Sequence, residues 1–83
     1  MIRIVRSTDD GTTTLTVSGR ISAEELPELR RAIEECGRRL VIDLGEVGVV
    51  DAETVRFLVH CEGRGILVAR CPGYVREWMA REK

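Results

Sequence analysis

Aromatic residues are scarce: one Phe, one Tyr and one Trp stand among 83 residues, leaving few platforms on which bases or flat cofactors could stack. Positive charge is not in excess either. A formal net charge of -1 excludes the general phosphate affinity of nucleic-acid-binding proteins, which depends on a surplus of Lys and Arg. No apolar run approaches the roughly 18 residues that read as a membrane span. The opening residues 1–6 hold no apolar core of a signal peptide. The expectation is a soluble, cytoplasmic chain with no nucleic-acid and no membrane partner.

Catalytic constellations are missing as well. His60 is the only histidine, so neither Ser18 nor Ser22 has an evident base and acid for a hydrolytic triad. Gly45 and Gly48 flank a stretch without the Lys-Ser/Thr of a nucleotide-binding turn. The three cysteines, Cys36, Cys61 and Cys71, lack C-x-x-C spacing, and His60 and Cys61, being adjacent, do not share a helix face. They read as reduced, packed thiols. A non-enzyme without cofactor or metal is expected.

What is present is globular: 43% hydrophobic residues against 33% charged. Eighty-three residues make one small domain over 1–83. At this size only roughly 60% of the chain's surface is buried on folding, and that marginal size, with an apolar first strand, is compatible with a homodimer.

Ile2 and Ile4 alternate with Arg3 in a short edge-type strand, and Val5 breaks the alternation. Asp9-Asp10-Gly11 is a hairpin turn signal, followed by the β-branched alternation of Thr14, Leu15, Thr16 and Val17. Ser22 and Glu25 have capping-box spacing. Pro27 pushes the start of the regular helix towards itself, with a turn over residues 23–26. Leu26, Leu29, Ile33 and Cys36 then share one helical face, and Gly37 supplies the stop.

Residues 40–44 are nearly all apolar, as in a strand covered on both faces. A glycine-bearing loop over residues 45–48 is expected next, with Val49 and Val50 re-entering the core. Asp51 fits the N-cap of a second helix, whose apolar face comprises Val55, Phe57, Leu58, Val59 and Cys61, with Gly63 and Gly65 as its stop. A strand over residues 66–69 and a short helix with Val75, Trp78 and Met79 inward complete the order β-β-α-β-α-β-α. The fold class is α/β: a mixed four-stranded sheet, made of an N-terminal hairpin and parallel β-α-β crossovers, packed with about three helices.

Gly19-Arg20-Ile21 after the second strand, Val41-Ile42-Asp43-Leu44 in the third, Val50-Asp51 opening the second helix, Gly65-Ile66-Leu67 and Pro72 follow one another in this order. Over almost the whole chain this pattern resembles the STAS domain, the fold of bacterial anti-sigma factor antagonists. The resemblance implies a non-catalytic protein that works by partner switching. It also implies an Asp-Ser-(Ser/Thr)-Gly motif at the second helix start, whose first serine is phosphorylated by a serine kinase that is itself the anti-sigma factor. A phosphate there adds about -1.5 to -2 charge at a helix start.

This chain has Asp51-Ala52-Glu53-Thr54 instead. Ala52 stands at the serine position, Thr54 at the glycine, and Ser22 where the family often has Asp. The scaffold is kept and the serine switch is lost. The expected partner-binding residues are Asp51, Ala52, Glu53, Thr54 and Ser22, and Thr54 is the remaining hydroxyl for phosphorylation. The expected partner is an anti-sigma or serine-kinase-like protein, or another regulatory protein. The rival reading on the same scaffold is a small-ligand or nucleotide sensor at that helix N-terminus.

Overall fold

The computed structural model describes residues 2–36 and 39–82. Strand β1 (Ile2–Asp9) and strand β2 (Thr12–Ile21) form an antiparallel hairpin, Ile2 opposite Gly19 and Asp9 opposite Thr12. Its two-residue turn has both central residues at positive φ, Asp10 at 54° and Gly11 at 81°. That pair of angles matches the right-handed twist of the strands it joins. The first strand is longer than its sequence suggests. Val5 does not break its alternation but sits on the face opposite Ile4.

After a 3-10 turn over Ala23–Glu25, helix α1 runs Leu26–Glu34 with Leu26, Leu29 and Ile33 buried. The stop expected at Gly37 lies outside the described residues. Strand β3 (Leu40–Val50) pairs in parallel with β2. Helix α2 (Ala52–Gly63) returns the chain to the short strand β4 (Leu67–Ala69), parallel to β3, and helix α3 (Gly73–Glu82) ends the fold. The α2 C-terminus is closed by Gly65, φ 91°: its N–H donates to the Glu62 carbonyl, and the Ile66 N–H to the Cys61 carbonyl.

The sheet order is β1-β2-β3-β4. Both crossovers therefore step in the same direction, and right-handed connections place α1 and α2 on one face of the sheet. The burial follows. Leu15, Val17, Leu40, Ile42, Leu44 and Val68 are buried beneath the helices, with Val55, Leu58, Val75 and Met79 packed over them. Their strand neighbours Val5, Thr14, Thr16, Val41 and Leu67 point the other way and keep access to solvent. The covering of residues 40–44 on both faces, expected from their apolar run, is thus corrected to one face. A monotonic strand order leaves no crossover to cover the second.

The expected loop at residues 45–48 is also corrected: β3 is continuous through it. Its pairing with β2 slips twice, Thr16 lying opposite Asp43 but Ser18 opposite Glu46, then Gly19 opposite Val47 but Arg20 opposite Val49. Each slip gives β3 one extra residue, the signature of a β-bulge. The inward side chains change from a spacing of two to a spacing of three, so Leu44, Val47 and Val50 are buried while Val49 is exposed. Glycine suits these positions because a bulge bends the strand.

Two glycines should respond in opposite directions to substitution by alanine. Neither would place a Cβ within 4 Å of another group. Gly11→Ala is expected to destabilise the fold by about 1 kcal/mol, since its φ disfavours any Cβ. Gly63→Ala, at the end of α2 with ordinary φ, is expected to stabilise by about 0.5 kcal/mol. Urea unfolding of both variants measures the pair.

Candidate functional site

Strands β2 and β3 end side by side, Ile21 opposite Val50, and each leads directly into a helical turn. The two turns share one carboxylate. Asp51, the N-cap of α2, accepts at Oδ1 from the Thr54 N–H (2.9 Å) and the Thr54 hydroxyl (2.7 Å). Its Oδ2 accepts from the Ala23 N–H at 2.9 Å. Three donors, led by the Thr54 hydroxyl, hold the Asp51 carboxyl below the usual carboxylate range.

The neighbouring turn is closed by its own carboxylate. The Ser22 N–H (2.9 Å) and hydroxyl (2.6 Å) both donate to Glu25 Oε1, and the Ser22 hydroxyl in particular lowers the Glu25 pKa. The two helix starts thus form one braced collar at the C-terminal end of the parallel strands.

The structure distributes the five anticipated residues unequally across this collar. Glu53 is exposed, and Asp51, Ala52 and Ser22 are partly exposed. Thr54 is not a surface residue: it is 0% exposed, and its hydroxyl lies between Asp51 and the Ile21 carbonyl, 3.2 Å away. With one proton to donate and the carboxylate nearer, it serves Asp51. A kinase or partner cannot reach it without opening the start of α2. The expectation of a contact or phosphorylation at Thr54 thus falls on an enclosed side chain.

Two further residues are exposed here: Tyr74, which local patterns did not single out, and Val49, whose expected return to the core with Val50 is corrected, since only Val50 is buried. Val49 is 53% exposed and Tyr74 is 46% exposed. The Tyr74 hydroxyl donates to the Gly48 carbonyl at 2.6 Å, anchoring the start of α3 to the bulged end of β3. Val49 and Tyr74 are thus linked through Gly48, close in sequence to the start of α2. Val49 follows Gly48, and the outward turn of that valine comes from the bulge.

A second ionic device stiffens the same strand. Arg70, at φ 50° just past β4, donates from Nε to both Asp43 oxygens at 3.0 Å, with its Nη2 2.9 Å from Oδ2. The Gly45 N–H donates to the same carboxylate at 2.8 Å. The Arg70 guanidinium above all keeps the Asp43 pKa low. It lies so close over Gly45 that a Cβ there would be 2.7 Å from Arg70 Cζ, so a side chain at this position would displace the guanidinium.

The sulfur atoms do not gather. Cys36, Cys61 and Cys71 are free thiols, and among the described residues no three His, Cys, Asp or Glu side chains converge as metal ligands. No helix among the described residues is long and apolar enough to cross a membrane.

With this geometry in view, the chain matches the family model described as "Mlab, STAS domain" over residues 4–81. No curated protein matches it significantly. Among solved structures it is similar to an uncharacterized protein of the DUF3478 family with a SpoIIAA-like fold from Shewanella loihica PV-4. The identity is 17%, with 98% of this chain and 75% of that chain covered and a TM-score of 0.46.

Two outcomes are expected of the carboxylates. Asp51→Ala should cost about 1–2 kcal/mol in denaturant unfolding. Asp51 and Asp43 have folded-state pKa values below their ordinary ones, so their stabilisation is present above pH ~4 and is lost as pH falls through the folded-state values. Asp51→Asn should flatten that acid limb. Separately, Gly45→Ala should push Arg70 off Asp43, and an NMR carboxyl titration should then find the Asp43 pKa moved up towards that of an isolated aspartate.

Proposed function

The chain belongs to the STAS domain family, and from that premise we propose that it is a non-catalytic protein-interaction module that docks a regulatory partner at the start of α2. The observation that carries this reading is the braced collar. Asp51 and Thr54 are consumed in holding it together, while Ala52, Glu53, Val49 and Tyr74 stand on its outside. A rigid mount under a small exposed patch of mixed polarity suits protein recognition, because little ordering entropy is lost on docking.

The family's scaffold is that of the anti-sigma factor antagonists, and the proposed partner is of the corresponding class, an anti-sigma or serine-kinase-like protein in a bacterial cytoplasm. Regulation by serine phosphorylation is not part of the proposal. Ala52 has no hydroxyl and the Thr54 hydroxyl is enclosed. Glu53 instead gives the helix start a permanent negative charge, favoured there by the helix dipole. The same acidity, from Asp51 and Glu53 together, disfavours the rival reading of an anion or nucleotide sensor at this helix start.

The test is affinity capture from the native cell with the intact chain and with an Ala52→Arg, Glu53→Arg variant. Both positions have access to solvent, so the variant should fold; Thr54→Arg would not serve, since it buries a charge. Capture of a regulatory protein by the intact chain, lost in this variant but retained by Glu77→Arg on the exposed side of α3, is the expected result. Equal capture by all three would move the docking surface away from α2.

A further inference from the structure

At the far end of α2 from the collar, a cavity of about 150 Å³ opens between α1 and α2. An apolar cavity of that size accommodates a benzene ring. Its inner wall is apolar and almost closed to solvent: Ile33 and Phe57 are 9% exposed and Cys61 is 2% exposed. Burial pushes the Cys61 thiol up to about 11, so at neutral pH it is an uncharged, weakly polar part of the wall.

The mouth is different. Arg30 lies over the Phe57 ring, with Cζ 5.5 Å from the centroid, and Arg64 and His60 stand on the α2 side. Neither guanidinium has a carboxylate partner among the described residues. Both arginine charges act on the Cys61 sulfur, Arg64 more than Arg30, opposing the effect of burial, while Glu62 acts in the other direction, so the arginine fields reach into the cavity. Against two arginines stands one acidic lining residue, Glu34, so arginines outnumber carboxylates by one at the mouth.

An apolar interior behind a mouth in which arginines outnumber carboxylates is complementary to one class of small molecule. We propose that the α1–α2 cavity binds a small monocarboxylate with a compact apolar body, its ring or alkyl group against Ile33, Phe57 and Cys61 and its carboxylate between Arg30 and Arg64. The guanidinium already stacked on Phe57 is positioned to pair with the carboxylate of a ligand lying along the same ring. A dianion such as inorganic phosphate would meet too little charge and would gain nothing from the apolar wall. This site is separate from the docking surface, and it neither requires nor excludes the partner proposed above.

Sodium benzoate is the probe, added to the uniformly 15N-labelled chain and followed by amide NMR. The expected result is a saturable shift centred on Phe57, His60, Cys61 and Arg64. Benzamide, equal in shape but uncharged, should bind at least about tenfold more weakly, as should benzoate to an Arg30→Gln, Arg64→Gln variant. Both arginines are exposed, so the variant should retain the dispersed spectrum of the folded chain. Absence of saturable shifts at millimolar benzoate would overturn the proposal. So would equal binding of benzamide, undiminished binding by the variant, or shifts centred on Ala52 and Glu53.

Discussion

The Asp51 carboxylate is the constraint on which the rest of this end of the domain depends. One oxygen holds the first turn of α2 through Thr54, and the other reaches the backbone of the turn that follows β2. A cap ordinarily satisfies one orphan donor of its own helix. Here the cap also joins two chain segments separated by 28 positions, so the ends of the two central parallel strands share a single hinge point. The exposed side chains around it owe their placement to that bond set, and Thr54 is enclosed because the bond set needs its hydroxyl.

The second constraint is topological. With strands in sequential order and both helices on the same side, the domain has one packed layer interface and one open sheet face. On the open face the only buttress described is Asp43 with Arg70, an ionic clasp across β3 and β4. It fixes the bulged region from the side opposite the core, while Tyr74 fixes the same strand from α3. Two segments, Arg70 just past β4 and Tyr74 at the start of α3, therefore converge on β3 between Asp43 and Gly48, the stretch that precedes the exposed Val49.

Features governed by neighbours in sequence were legible from sequence. The Asp10-Gly11 turn, the Ser22–Glu25 box, the inward face of α1 and the Asp51 cap each rest on contacts within about four residues. The trace of β3 was not legible, because glycine serves loops and bulges equally well and only pairing with β2 distinguishes them. The clue in retrospect is Leu44, Val47 and Val50, apolar at intervals of three. The burial of Thr54 was not legible, because its spacing after Asp51 marks both a surface motif and a cap partner. Tyr74 could not have been found, since its bond to Gly48 spans 26 positions.

The two bulges of β3 carry a consequence for which changes of sequence this segment can absorb. Between Asp43 and Asp51 the facing of each side chain depends on residue count as well as on apolar pattern, since each bulge absorbs one residue of chain. Deleting either extra residue would turn the following side chains onto the wrong face, as any one-residue slip in a sheet does, and would shift Asp51 relative to Ala23. Replacing outward residues such as Glu46 or Val49 disturbs neither. In that segment the fold depends on the number of residues more than on the identities of outward side chains such as Glu46 and Val49.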